Sequence, residues 1–300
     1  MLDKVLLIVN PVAGKAQGET YAKKLEDVLE KNHQSIVETK VTEKENDAFH
    51  WSREAHNEGF TSVICLGGDG TVSETVSGLM QNDQRPNFGF IAMGTVNDLA
   101  RSLGYQLNPE KAIDDFKKVK LDKLDIGKVN DNYFTNVIAI GPIAEEVMAT
   151  DSDDKNKLGV LAYVRDGLKA FFTNKGYNIR VTNSKNQPID LKTNLLLVGL
   201  TNSVGGVEFM IPEATYNDGE GYLVAIKGHT PINTIAASLE VGFTNLNADN
   251  LHKLSDSKFI IESQDNVEIK TNIDGDMGPN LPIEIEIIKH AIDIIVPDHS

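Results

Sequence analysis

The sequence predicts an α/β N-terminal domain with a mostly parallel sheet, followed by an antiparallel sandwich or barrel-like domain. Three observations predict it. Short β-rich runs alternate with amphipathic stretches up to residue 125; Gly-containing turns follow three of those runs; and from Ile126 onward period-two strands are broken by Asn, Asp and Gly.

KVLLIV opens the chain as a strand, and Glu19 to Lys31 follows with helical periodicity. SIVETKV, the helix Asp47 to Asn57, SVICL, the helix VSETVSGLM and FGFIAM continue the alternation. Such an order gives parallel strands with helices on both faces, and ligands then gather beyond the carboxyl ends of the strands. The turns Asn10-Pro11-Val12-Ala13-Gly14, Gly67-Gly68-Asp69-Gly70-Thr71 and Gly94-Thr95-Val96-Asn97-Asp98 fall at those ends, so all three belong to one edge.

After LDKLDIGKV the runs IGKV-NDN-YFTNVIAI, YNIRVTN-SKNQ-PIDLKTNLLLVGL, YLVAIKG, KFIIES, VEIKTNI and PIEIEII read as hairpin-linked strands. The expected domains are 1–125 and 126–287, and the last strand, AIDIIVP, is free to return to the first domain within about 288–300. Leu158, Leu161, Val164, Leu168 and Phe171 recur at helical spacing, a pattern that core packing explains. Lys155, Lys157, Arg165, Lys169 and Lys175 beside Phe171 and Phe172 also make this stretch the candidate basic contact for a membrane, which Lys15, Lys23 and Lys24 would extend.

A chain of 300 residues with 40% hydrophobic and 24% charged residues suits two packed domains. A net charge of −15 argues against nucleic-acid binding and restricts any membrane contact to a local patch. The N-terminal apolar run is too short for a signal peptide or a span, so the protein is expected in the cytoplasm, transiently at the inner face of the cell membrane. No Met-Gly start and no C-terminal Cys signal lipidation, so membrane contact would be peripheral. Cys65, the single cysteine, sits in the apolar run SVICL and reads as a buried strand thiol.

The chemistry concentrates in the turns. Gly67, Gly68 and Gly70 precede the helix VSETVSGLM and let backbone N–H groups approach an anion, as phosphate binding requires. Neither G-x-x-x-x-G-K-[ST] nor G-x-G-x-x-G after the first strand is present, which disfavours Walker-type ATPases and dehydrogenases.

NPVAGK, GGDGT and GTVNDLAR, in that order, resemble the diacylglycerol kinase catalytic family, which also contains sphingosine and ceramide kinases. Thr42 in VTEKENDA, Lys157-Leu158-Gly159, GLTNSVGGVEFMIPEATYNDG and Ile273-Asp274-Gly275-Asp276 extend the likeness to soluble bacterial diacylglycerol kinases over nearly the whole chain. The fold and the GGDG loop are shared with NAD kinases and phosphofructokinases.

The resemblance implies an ATP- and Mg²⁺-dependent kinase of two domains with a cleft between, in which ATP lies. The first domain would bind the nucleotide and the second, a β-sandwich, would carry the lipid, diacylglycerol being converted to phosphatidic acid. Carried over by position, Asn10, Pro11, Val12, Ala13, Gly14, Thr42, Gly67, Gly68, Asp69, Gly70, Thr71, Val72, Ser73, Thr95 and Asn97 would serve ATP. Asp218 would be the metal-linked aspartate, with Thr215 and Glu220 giving backbone oxygen, and Asp69 and Asp98 would join it around Mg²⁺. Asp274 is the candidate general base, with Asp276 sharing that role or reaching the metal through water.

The sequence departs from the family pattern in three places. Asp276 stands where Glu is usual, which retracts the carboxylate by about 1.5 Å, and displacement on that scale costs roughly a hundredfold in rate. The Asp-Gly-x-Leu-Asp stretch of many relatives reads Asp218-Gly219-Glu220-Gly221-Tyr222, and the Pro common before the third turn is Ala92. Two other readings stay open: a kinase of another lipid alcohol such as a sphingoid base, and a catalytically weakened nucleotide- or lipid-binding regulator. Open sheet edges also admit a homodimer.

Overall fold

Lys4–Val9 forms β1, and only its first residue escapes full burial. The computed structural model describes residues 1–141, 176–201, 203–204, 207–208, 214–227 and 251–298. The chain divides into two compact units: Met1–Ile126 with Lys289–Ser300, and Gly127–Ile288.

In the first unit β1 is followed by α1 (Ala13–Ala16), α2 (Gly18–His33), β2 (Ile36–Val41), α3 (Asp47–Glu54), β3 (Ser62–Gly67), α4 (Asp69–Leu79), β4 (Asn87–Ala92), α5 (Asp98–Ser102), α6 (Pro109–Asp115) and the start of β5 (Val119–Val129). The strands lie in the order β2-β1-β3-β4, all parallel. Ile294, near the end of the last strand, pairs with Phe88 of β4 in the same sense. Burial on both faces explains why β3 is apolar from Val63 to Leu66, and it pushes the Cys65 thiol up to about 12.

The helices cover this sheet through periodic apolar positions. Ala22, Leu25 and Leu29 of α2 are buried at helical spacing and share a core with Val5, Leu7, Ile64, Leu66, Ile91 and Ile295. Each such Leu, Ile or Val side chain stabilises the fold by roughly 1.5–3 kcal/mol. A left-handed Gln34 ends α2, its N–H returning to the Leu29 and Glu30 carbonyls. Asn108 Oδ1 caps α6 by accepting from the N–H groups of Glu110 and Lys111, with Pro109 at the first helical position.

The second unit is antiparallel and strand-rich. After the end of β5 come β6 (Asn132–Phe134), β7 (Val137–Ile140), β8 (Tyr177–Asn183), β9 (Pro188–Gly199), β10 (Ser203–Val204), β11 (Val207–Glu208), β12 (Gly221–Lys227), β13 (Leu251–Asp256), β14 (Lys258–Ser263), β15 (Lys270–Ile273), β16 (Asp276–Asn280) and β17 (Ile283–Pro297). The path β16-β15-β7-β9-β8-β14 continues onto the first part of β17, and β12 adds to β9 with β13 beside it. Phe134, Ile138, Val198, Leu223, Phe259 and Ile285 lie in its core.

Several elements differ from the sequence reading. YFTNVIAI, expected as one strand, breaks at Thr135-Asn136 into β6 and β7, because those N–H groups leave the ladder for the Asp274 carboxylate. VEIKTNI keeps only Lys270–Ile273 as strand, and PIEIEII continues unbroken through Pro297. The helix expected over Leu158 to Phe171, the basic stretch Lys155 to Lys175 and the Lys157-Leu158-Gly159 match lie outside the described residues, as does part of GLTNSVGGVEFMIPEATYNDG. No described helix is long and apolar enough to cross a membrane.

Candidate active site

The turns that follow β1, β3 and β4 leave one edge because those three parallel strands are neighbours. Connections run from β1 outward to β2 and then back past β1 to β3, so the order reverses between β1 and β3, the position where open α/β sheets receive ligands.

Hydrogen bonds fasten the turns to one another. The Asn10 N–H donates to the Leu66 carbonyl at 2.9 Å, and its Nδ2 donates to Thr71 Oγ1 at 3.2 Å. Asn10 Oδ1 accepts the Val12 N–H, which bends Pro11 and Val12 outward and leaves Val12 77% exposed. Thr42, at the end of β2, donates both its N–H and its hydroxyl to the Val9 carbonyl. The Met93 N–H donates to the Gly67 carbonyl at 2.8 Å, joining the second and third turns.

Small residues are required where the turns touch. A Cβ on Gly94 would lie 3.0 Å from the Gly68 Cα and 2.8 Å from Asn97 Oδ1. A Cβ on Gly67 would meet the Thr71 side chain at 2.5 Å, and one on Gly18 would meet the Asn10 carbonyl oxygen at 2.4 Å. Gly18 was not singled out from sequence; the signal available was a glycine opening a helix just after the first turn. Beyond Ala13 the backbone is left-handed at Gly14, Lys15 and Ala16 (φ 59°, 61° and 60°). Glycine adopts this freely, whereas the other two do so at about 1–2 kcal/mol each.

The second turn opens α4, whose first N–H groups and positive dipole end face the same edge. Gly70 is exposed and Ser73 half-buried, while Thr71 and Val72 are buried and can serve an anion only through backbone. Thr95 is exposed in the third turn. Asn97 is buried and left-handed, and its amide is engaged at both ends: Oδ1 accepts the Gly94 N–H and Nδ2 donates to the Gly94 carbonyl, both at 2.9 Å.

Asp69 Oδ2 accepts the Asn97 N–H at 3.1 Å. Burial raises the Asp69 carboxyl above the usual carboxylate range; the N–H donors oppose this and the nearby charge of Asp98 adds to it. Two acidic groups, one from the second turn and one from the third, set near each other suit a divalent cation. Among the described residues no group of three or more His, Cys, Asp or Glu could hold a metal alone. Magnesium commonly uses one or two carboxylates and completes its shell with water and substrate phosphate, so Asp69 and Asp98 fit it.

The second unit contains the other acids. Asp274 and Gly275, at φ 50° and 104°, form the two-residue turn between β15 and β16, with Ile273 paired to Asp276. Asp274 Oδ2 accepts from the Thr135 N–H and hydroxyl, and Oδ1 accepts from the N–H groups of Asn136 and Val137, all within 3.0 Å. Burial lifts the Asp274 carboxyl, with these donors pulling the other way. Asp276 is exposed at the first position of β16. Asp218 Oδ2 accepts from the Thr215 N–H and hydroxyl and from the Tyr222 hydroxyl, and Oδ1 accepts from the Glu220 N–H. Thr215 and Glu220 therefore turn N–H groups toward this carboxylate.

Comparison with known proteins agrees with this architecture. Residues 4–129 match the diacylglycerol kinase catalytic domain family. The diacylglycerol kinase of Staphylococcus carnosus (strain TM300) is 32% identical over 305 residues, covering 99% of this chain and 96% of its own. That of Staphylococcus haemolyticus (strain JCSC1435) is 32% identical over 299 residues, covering 97% and 87%. A crystal structure of a diacylglycerol kinase from Bacillus anthracis str. Sterne superposes with a TM-score of 0.78 at 25% identity, over 98% of this chain and 97% of that one. A chain with these likenesses is a lipid kinase. More particularly, it belongs to the diacylglycerol kinase family.

Proposed function

We propose that the protein transfers the γ-phosphate of ATP to the free hydroxyl of diacylglycerol, giving phosphatidic acid and ADP, with Mg²⁺. The observation that carries this reading is the fastening of three glycine turns at the ends of β1, β3 and β4, which supports a cradle for a chain of phosphates.

In this reading the N–H groups of Gly68 to Ser73 and the open backbone around Gly14 bind the phosphates, while Thr42 and Thr95 flank the nucleotide. Asp69 and Asp98 would hold Mg²⁺, which when bound neutralises charge on the phosphates. Asp276, exposed on β16, takes the proton from the acceptor hydroxyl as its oxygen forms a bond to phosphorus and the bond to the ADP oxygen breaks. Asp274 acts as a positioning residue. Its oxygens already accept four bonds, and its task is to hold the hairpin that presents Asp276. Domain 1–125 thus serves the nucleotide and 126–287 the lipid, reached by peripheral membrane contact.

The test is labelled ATP, Mg²⁺ and mixed micelles holding diacylglycerol, sphingosine or no lipid. Label in phosphatidic acid, reduced roughly a hundredfold or more by Asp276→Asn, is the expected result. Label in the sphingosine arm alone would replace the acceptor, and bound ATP with no labelled lipid would leave a regulator in place of a catalyst.

A further inference from the structure

We infer that Tyr222 takes the place of a cation at Asp218, so that this turn is complete without a resident metal. The family likeness leads one to expect an aspartate-linked Mg²⁺ here, and the residues present do not fit it. A carboxylate offers about four acceptor positions, and four protein donors already surround this one. The Tyr222 hydroxyl approaches Oδ2 at 2.6 Å, the length of a charge-assisted O–H···O⁻ bond. Thr215 and Glu220, expected to offer backbone oxygen, meet this carboxylate through their N–H groups. Magnesium would need near-octahedral oxygen ligands, and on Oδ2, which carries three of the four donors, it would have to displace the phenol and the Thr215 hydroxyl.

The sequence difference at position 222 supplies the cause. An aspartate at this position, as in the Asp-Gly-x-Leu-Asp stretch of many relatives, would set a second carboxylate beside the first, a local excess of negative charge that a cation relieves. A tyrosine at that position brings a donor in place of the second charge, and the excess disappears. Tyr222 pairs with Gly199, Gly199 pairs with Val137, and the Val137 N–H donates to Asp274 Oδ1. The Tyr222–Asp218 bond thereby fixes the end of β12 in the same ladder that supports the Asp274 turn.

This inference is independent of the proposed reaction, because its test uses full-length protein free of nucleotide. Thermal unfolding would be followed with Mg²⁺ or with a chelator, and Mn²⁺ binding by electron paramagnetic resonance, for wild type, Asp218→Asn, Tyr222→Phe and Tyr222→Asp. In wild type the expected Tm is the same with Mg²⁺ and with chelator, and any bound Mn²⁺ persists in Asp218→Asn. Tyr222→Asp should gain a Mn²⁺ site and a Tm that rises with Mg²⁺. A Mn²⁺ site in wild type that Asp218→Asn abolishes would overturn the inference, and so would a folded Tyr222→Asp with no gain in cation binding. Should the Tyr222 variants fail to fold, the comparison of wild type with Asp218→Asn decides alone.

Discussion

The Asp69 carboxylate and the Asn97 N–H meet at 3.1 Å, and through this bond the second turn holds the third. The Asn97 side chain completes the junction by closing on both polar groups of Gly94. Replacing Asn97 with Ala removes both side-chain bonds and leaves the Gly94 peptide without them. The expected cost is about 1–3 kcal/mol of stability, together with weaker ATP binding. Thermal unfolding and nucleotide titration measure the two effects, and unchanged ATP affinity would show that the third turn keeps its shape without Asn97.

Two glycines in these turns should respond in opposite ways. Gly94→Ala drives a methyl against Gly68 and Asn97 and should lower stability by about 1–3 kcal/mol. Gly70 lies in the first turn of α4 with open space where a Cβ would stand. Gly70→Ala should therefore raise stability by about 0.5–1 kcal/mol, yet weaken ATP binding if phosphate must lie against the backbone there. Equal ATP affinity in Gly70→Ala and wild type would remove Gly70 from the cradle.

Asp69 should make stability fall with pH. Its carboxyl is raised on folding, so between the unfolded and folded values the native state holds more protons than the unfolded chain. Stability from this group is then fullest below the unfolded value and is lost as pH rises through the folded one. Asp69→Asn removes the effect, so its Tm should gain on that of wild type as pH rises through that window, while kinase activity is lost. A constant Tm difference across pH would contradict the buried-carboxyl account.

Asp274 and Asp276, two residues apart, should separate stability from rate. Asp274→Asn leaves one acceptor oxygen among four donors and places an amide NH₂ beside backbone N–H groups, at a cost of roughly 3 kcal/mol or more. Asp276→Asn is an exposed change expected within about 0.5 kcal/mol of wild type, with kcat falling roughly 10²- to 10⁴-fold. Asp276→Glu should raise kcat by extending the carboxylate. A stable Asp274→Asn with the larger kcat defect would exchange the two roles.

The strands buried on both faces were the most legible part of the sequence. KVLLIV, SVICL and FGFIAM are apolar without interruption beyond Lys4 and Ser62 because helices cover both sides of their sheet, and the structure has strands at those places. The break in YFTNVIAI was illegible for a physical reason. Its cause is the side chain of Asp274, which is 139 positions from Thr135, whereas periodicity registers only neighbours. The Asp-Gly pair after VEIKTNI announces a hairpin, but nothing local shows that the Asp carboxylate is committed elsewhere. Tyr222 was visible as a departure from a pattern, and its consequence for Asp218 required the 2.6 Å contact.

The strand Ile283–Pro297 contributes its first residues to the second unit and its last to the first. In the order of synthesis the second unit therefore lies between two parts of the first. The sheet that carries the three turns emerges without the neighbour that β4 finds in Ile294, while every residue of the second unit has already been made. The β4 edge of the nascent protein is therefore closed only after the whole of the second unit has been translated.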